Sequence, residues 1–164
     1  MILKGVKRSV PQIVYGGVDG TVSTFAVIAG AYGAGLDERM TFILAAANVG
    51  ADGFSMAVSA YLSARAARKR RPRWMAAVTF SAFCILGGLL IIPYAIDLAI
   101  TMSRLVTFLM SCGFAITSFV IVAAIKSRVD KTTLWVSIQE VIALGTVAAA
   151  IAYFLGDGLE RLIS

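Results

Sequence analysis

Histidine is absent from all 164 residues, which removes His-ligated haem, His-based zinc sites and histidine proton relays together. Cysteine is nearly absent: Cys84 and Cys112 are the only two. Both fall in the middle of apolar segments, and their spacing fits neither a disulfide framework nor a zinc motif. Packing as small buried hydrophobes suits them better. The chain has no CxxC pair, no Walker-type glycine loop and no nucleophile set beside a base. It is therefore read as a non-enzyme that cannot drive a pump with ATP by itself. Charge is scarce too, at 15% of residues, and the net +6 comes from 15 Lys and Arg against 9 Asp and Glu.

What is present is apolar. Hydrophobic residues make up 59% of the chain and the mean hydropathy is +0.87, whereas a soluble domain is roughly 45–50% apolar. Five segments reach the roughly 20 apolar residues that a spanning helix needs: Ile13–Leu36, Met40–Leu62, Trp74–Ile96, Leu105–Ile125 and Thr132–Leu155. Barrel strands would be about 10 residues long and would alternate in polarity, which these runs do not. The expectation is an all-α integral membrane protein, a single transmembrane domain over residues 1–164. The basic start MILKGVKRSVPQ precedes an apolar run too long for a signal peptide, so that run is read as the first span.

Three acids interrupt the apolar segments: Asp19, Asp52 and Glu140. Each costs roughly 2.5–3.5 kcal/mol at membrane depth, and together roughly 7–10 kcal/mol, so a bound cation, a proton or a water-filled path must repay them. Tyr15, Asp19 and Ser23 fall at i, i+4 and i+8 on one helix face. Asn48, Asp52 and Met56 repeat that spacing in the second span, with Ser55 and Ser59 alongside. Hard oxygen ligands with one soft thioether suit a late first-row divalent ion such as Fe(II). At 1.5 Å per residue, Asp52 lies near the middle of its span, and Asp19 and Glu140 lie roughly 10 Å inside the starts of theirs. Gly16, Gly17 and Gly20 surround Asp19 and suit either close helix packing or local unwinding around an ion. The third and fourth spans read as scaffold, with Pro93 marking a helix stop near the end of the third.

Basic residues set the expected orientation. Lys4, Lys7 and Arg8, then Arg65, Arg68, Lys69, Arg70, Arg71 and Arg73, then Lys126, Arg128 and Lys131 alternate to one side. They hold twelve of the fifteen cationic residues. The positive-inside rule puts that side, with the N-terminus, in the cytosol. The run Arg65–Arg73 sits next to a span, where anionic lipid headgroups are nearer partners than nucleic acid, at roughly 1 kcal/mol per basic residue. Five spans make a small bundle that cannot be two equal repeats, so a homodimer with its path near the two-fold axis is expected.

Two motifs resemble those of the vacuolar iron transporter family. YGGVDGTVSTFAVIAGA, starting at Tyr15, fits that family's first-span D-G-x-[VI]-[ST]-x-F-x-x-[VI]-A-G-x-x-G-A. ADGFSMAVSAYLS, starting at Ala51, fits most of its second-span S-M-x-x-G-[ED]-[YF]-[VL]-S. The resemblance implies homodimers that move Fe(II), and often Mn(II), out of the cytosol in exchange for protons, with Asp19 and Met56 in the pathway. Two departures stand out. The glutamate-rich cytosolic domain that plant and parasite members carry after the second span is replaced here by a short basic loop. The family's Gly-Glu pair is Ser59-Ala60 here, with Asp52 as a substitute acid.

The leading expectation is a proton-coupled exporter of Fe2+ or Mn2+, without a permanently bound cofactor, in a prokaryotic plasma membrane. A passive cation channel, or a non-transporting membrane subunit that needs a partner, are the alternatives.

Overall fold

The computed structural model describes residues 2–163, without the side chains of residues 2–9 or of Val129, so Lys4, Lys7 and Arg8 lie outside the described side chains. Six helices follow in order: α1 (Ile2–Gly33), α2 (Glu38–Ala66), α3 (Pro72–Leu89), α4 (Ile92–Asp97), α5 (Arg104–Asp130) and α6 (Leu134–Ile163). Five of them are long and apolar enough to cross a membrane, α4 being the exception. No strand occurs among the described residues.

Local chemistry sets the boundaries. Gly35 takes φ +70° and the Leu36 N–H returns to the Ala31 carbonyl, the left-handed closure that glycine favours at a helix end. Asp37 then caps α2, its carboxylate accepting from the Met40 N–H at 2.7 Å, with Glu38 in the first turn. The basic loop is shorter than the sequence suggests. Only residues 67–71 separate α2 from α3, and Arg68 and Arg71 both adopt positive φ to make the turn.

The third apolar segment is not one helix. α3 ends at Leu89, and Pro93 sits in the first turn of α4 instead of stopping a helix behind it. Proline is tolerated there because its missing N–H would have no intrahelical acceptor. At the break the Leu90 and Ile91 N–H groups fall back to Gly87 and Gly88 in tighter i→i+3 bonds. Ser118 and Ser111 of α5 donate to the Leu86 and Leu90 carbonyls at 3.1 and 2.8 Å. Serine hydroxyls thereby meet carbonyl groups that lipid could not solvate.

α1 is the centre of the bundle and packs on α2, α3, α5 and α6, whereas α2 and α6 scarcely touch each other. Glycine permits the close approaches. A Cβ on Gly16 would lie 2.5 Å from the Thr79 carbonyl oxygen, and one on Gly20 2.6 Å from that of Phe83. Gly33 and Gly156 make the same kind of contact between α1 and α6. The glycine cluster around Asp19 thus packs helix against helix, and α1 runs through it without unwinding. Phe83, Ile28, Leu90 and Val122 fill the interior around this axis. Trp74 and Trp135 are exposed near the starts of α3 and α6, which suits the headgroup level.

Candidate metal pathway

Phe83 sets the level at which the acids meet. Its backbone touches Gly20 of α1, and its ring lies 3.2 Å from where a Cβ on Gly53 of α2 would be. Asp19 and Asp52, each the residue before one of these glycines, therefore share one depth in the bundle. They lie within electrostatic reach of each other. Neither has a hydrogen-bond or salt-bridge partner among the described residues. Both are exposed on the protomer, as is Tyr15 at 67%. Both lie on the face of α1 and α2 that leads along the helices into an open cleft between α2 and α6, so one protomer does not enclose them.

The stripes continue in both directions. α1 and α2 run antiparallel, so a turn along one matches a turn back along the other. One turn beyond the acids, Ser23 Oγ and Asn48 Nδ2 are enclosed and unpartnered. One turn toward the N-terminal side stand Tyr15 and the half-buried Met56. Ser55 and Ser59 are exposed beside Met56. Past Ser23 the cleft turns apolar, a shallow groove lined by Ala26, Gly30, Ala34, Leu44 and Ala152. A charged and amide-bearing half thus faces an apolar half.

Sequence reasoning missed Gln12, whose Oε1 is also enclosed without a partner. It lies seven residues before Asp19 on the same helix face, and that spacing was the available signal. Glu140 does not join the aspartates. Its Oε2 accepts from Lys126 Nζ at 2.5 Å, and the same ammonium reaches Asp130 at 3.0 Å. Among the described residues no group of three or more Cys, Asp and Glu converges, so one protomer brings two carboxylates to this level and no third. Gly16 and Gly20 press their small faces on α3 while Asp19 faces the cleft. Cys84 packs behind α2, with Sγ 3.8 Å from the Val49 carbonyl.

The VIT family profile matches residues 10–73 and 65–157, nearly the whole bundle. The chain belongs to the VIT family. It is an integral membrane protein, and the two profile segments cover four of the five candidate spans and most of the fifth. A vacuolar iron transporter of Toxoplasma gondii is 38% identical over 71 residues, 40% of this chain. That stretch is 24% of the relative's length, so the chain spans only a fraction of it. No solved structure matches. Asp19, Asp52, Met56, Gly16 and Gly20 all lie within the first matched segment, and Glu140 lies in the second.

Proposed function

We propose that this VIT-family protein carries a divalent transition metal, Fe2+ or Mn2+, out of the cytosol in exchange for protons, and that it works as a homodimer. The observation that carries this reading is the pair of partnerless carboxylates, Asp19 and Asp52, at one level of neighbouring spans on a face the protomer leaves open. An ion-pairing or scaffold role would give them a cationic or hydrogen-bonding partner. A second copy across the cleft would double the pair to four carboxylates and close the path, with the N-terminal side in the cytosol.

The chemistry follows from the residue types. Carboxylate oxygens from Asp19 and Asp52 replace the metal's water, and Met56 adds a thioether that favours Fe2+ over Mg2+ or Ca2+. Ser23 and Asn48 offer a neutral station one turn further on, with Gln12 on the cytosolic approach. Protons arriving from the far side neutralise the carboxylates and release the metal. The neutral acids are then cheaper to hold in the apolar surroundings than the anions. Glu140, tied to Lys126, stands outside this exchange as an ion-paired group. Anionic lipid at Arg65–Arg73 holds the cytosolic surface to the membrane.

The test is Fe2+ and Mn2+ flux in liposomes that contain only this protein, with and without an imposed pH gradient. Saturable uptake that the gradient accelerates, with matching proton movement, is the expected outcome, and Asp19→Asn should abolish it. Flux that ignores the gradient would make the protein a channel. Full flux in the Asp19→Asn variant would overturn the site.

A further inference from the structure

A second concave surface lies away from the acid cleft, between α5 and α6 with α1 as its floor. It holds about 470 Å³ and is walled by Ala29 of α1, Phe108, Cys112 and Ala115 of α5, and Ala150 and Tyr153 of α6. Alanines at the facing positions keep the two helices from filling the space between them. Along α6 the groove runs from Ile142 to Tyr153, roughly 16 Å of helix rise. That length corresponds to one leaflet, half of a hydrocarbon core of about 30 Å.

The far end of this groove carries a cation. Phe108 stacks on Tyr32 at 4.1 Å between ring centroids, and the Arg104 guanidinium lies over the Tyr32 ring at 4.4 Å from its centroid. Arg104 opens α5, one turn beyond Phe108, and also donates to the Tyr32 carbonyl at the end of α1. It is exposed, and no carboxylate pairs with it among the described residues. The guanidinium has more donors than that one bond uses, and its fork suits a phosphate. The apolar wall thus ends, at the membrane surface, in an unpaired cation.

We propose that this groove is a phospholipid site in the leaflet farther from the basic loop, with one acyl chain between α5 and α6 and the lipid phosphate at Arg104. The length matches one chain in one leaflet, and the unpaired cation sits where a headgroup phosphate would be. The site is separate from the Asp19 cleft, so it does not depend on what the protein transports.

Cys112, half-buried in the groove wall, is a native reporter. Purified full-length protein in lipid-free detergent is treated with N-ethylmaleimide, and peptide mass spectrometry reads Cys112 and Cys84 separately. Added dioleoylphosphatidylglycerol should slow labelling at Cys112 several-fold and leave Cys84 unchanged. Arg104→Gln should raise the lipid concentration needed by roughly tenfold, and inorganic phosphate alone should protect nothing. Because Arg104 also braces α1, a second variant keeps its contacts: Ala150→Phe fills the groove and should lose the one phospholipid per protomer that the wild type retains in native mass spectrometry. Unchanged labelling with lipid, protection indifferent to Arg104→Gln, or lipid retained by Ala150→Phe would each overturn the proposal. A Cys112–Cys112 disulfide on oxidation would assign the groove to a second copy instead.

Discussion

Asp19 and Glu140 carry the same charge in similar apolar sequence, yet their surroundings separate them. Glu140 has an ammonium at 2.5 Å, whereas Asp19 has only another carboxylate within reach. Removing Glu140 therefore acts on stability more than on transport. Glu140→Gln leaves Lys126 with Asp130 alone and should lower thermal stability by about 1 kcal/mol. Lys126→Met added to it should restore part of the loss, and metal flux should stay within about twofold of wild type because the pair lies outside the exchange site. A loss of flux as complete as that of Asp19→Asn would put Glu140 back in the pathway. Ser23→Ala and Asn48→Leu should leave proton dependence in place while slowing turnover. Each removes an enclosed polar atom that has no hydrogen-bond partner among the described residues, so folding should tolerate both, as a melting curve can check.

At the scale of elements, α1 can be central because glycine lets α3 and α6 approach it backbone to backbone. Gly20→Ala would set a methyl carbon 2.6 Å from the Phe83 oxygen and 2.8 Å from its Cα. Neither atom can move without moving α3, so a loss of about 1–3 kcal/mol is expected in a thermal melt. Gly113→Ala in α5 meets nothing within 4 Å and should be tolerated, which controls for glycine loss as such. The α3–α4 break depends on serine in a comparable way. Ser111→Ala leaves the Leu90 carbonyl without its 2.8 Å donor in a dry interior, a cost of about 1–3 kcal/mol. A Ser111→Ala protein as stable as wild type would show that another group meets that carbonyl.

For the whole molecule, the open cleft decides what assembly is required. Tyr15, 67% exposed on the same face as Asp19, should come close to its counterpart if the second copy closes the cleft. Tyr15→Cys in a chain with Cys84 and Cys112 replaced by Ser should form a disulfide-linked dimer in native membranes. A strictly monomeric product would leave the carboxylates facing lipid and would remove the homodimer. The same experiment distinguishes the two concave surfaces, because the cleft and the α5–α6 groove lie on different sides of α6.

Composition and periodicity determined much of this protein by themselves. Apolar runs of spanning length can form only helices in lipid, since each backbone polar group must then be met within its own segment. An acid inside such a run stands out because little else there is charged. The i, i+4, i+8 stripes of Asp19 and Asp52 follow from helix geometry alone. Other features required the packed bundle. The break after Leu89 needs the Ser111 and Ser118 hydroxyls of a distant helix. The pairing of Glu140 with Lys126, rather than with a metal, needs α5 and α6 side by side. The shared level of Asp19 and Asp52 rests on Phe83 touching glycines of two helices at once. These are contacts between residues far apart in the chain, and no local spacing specifies which helix faces will meet.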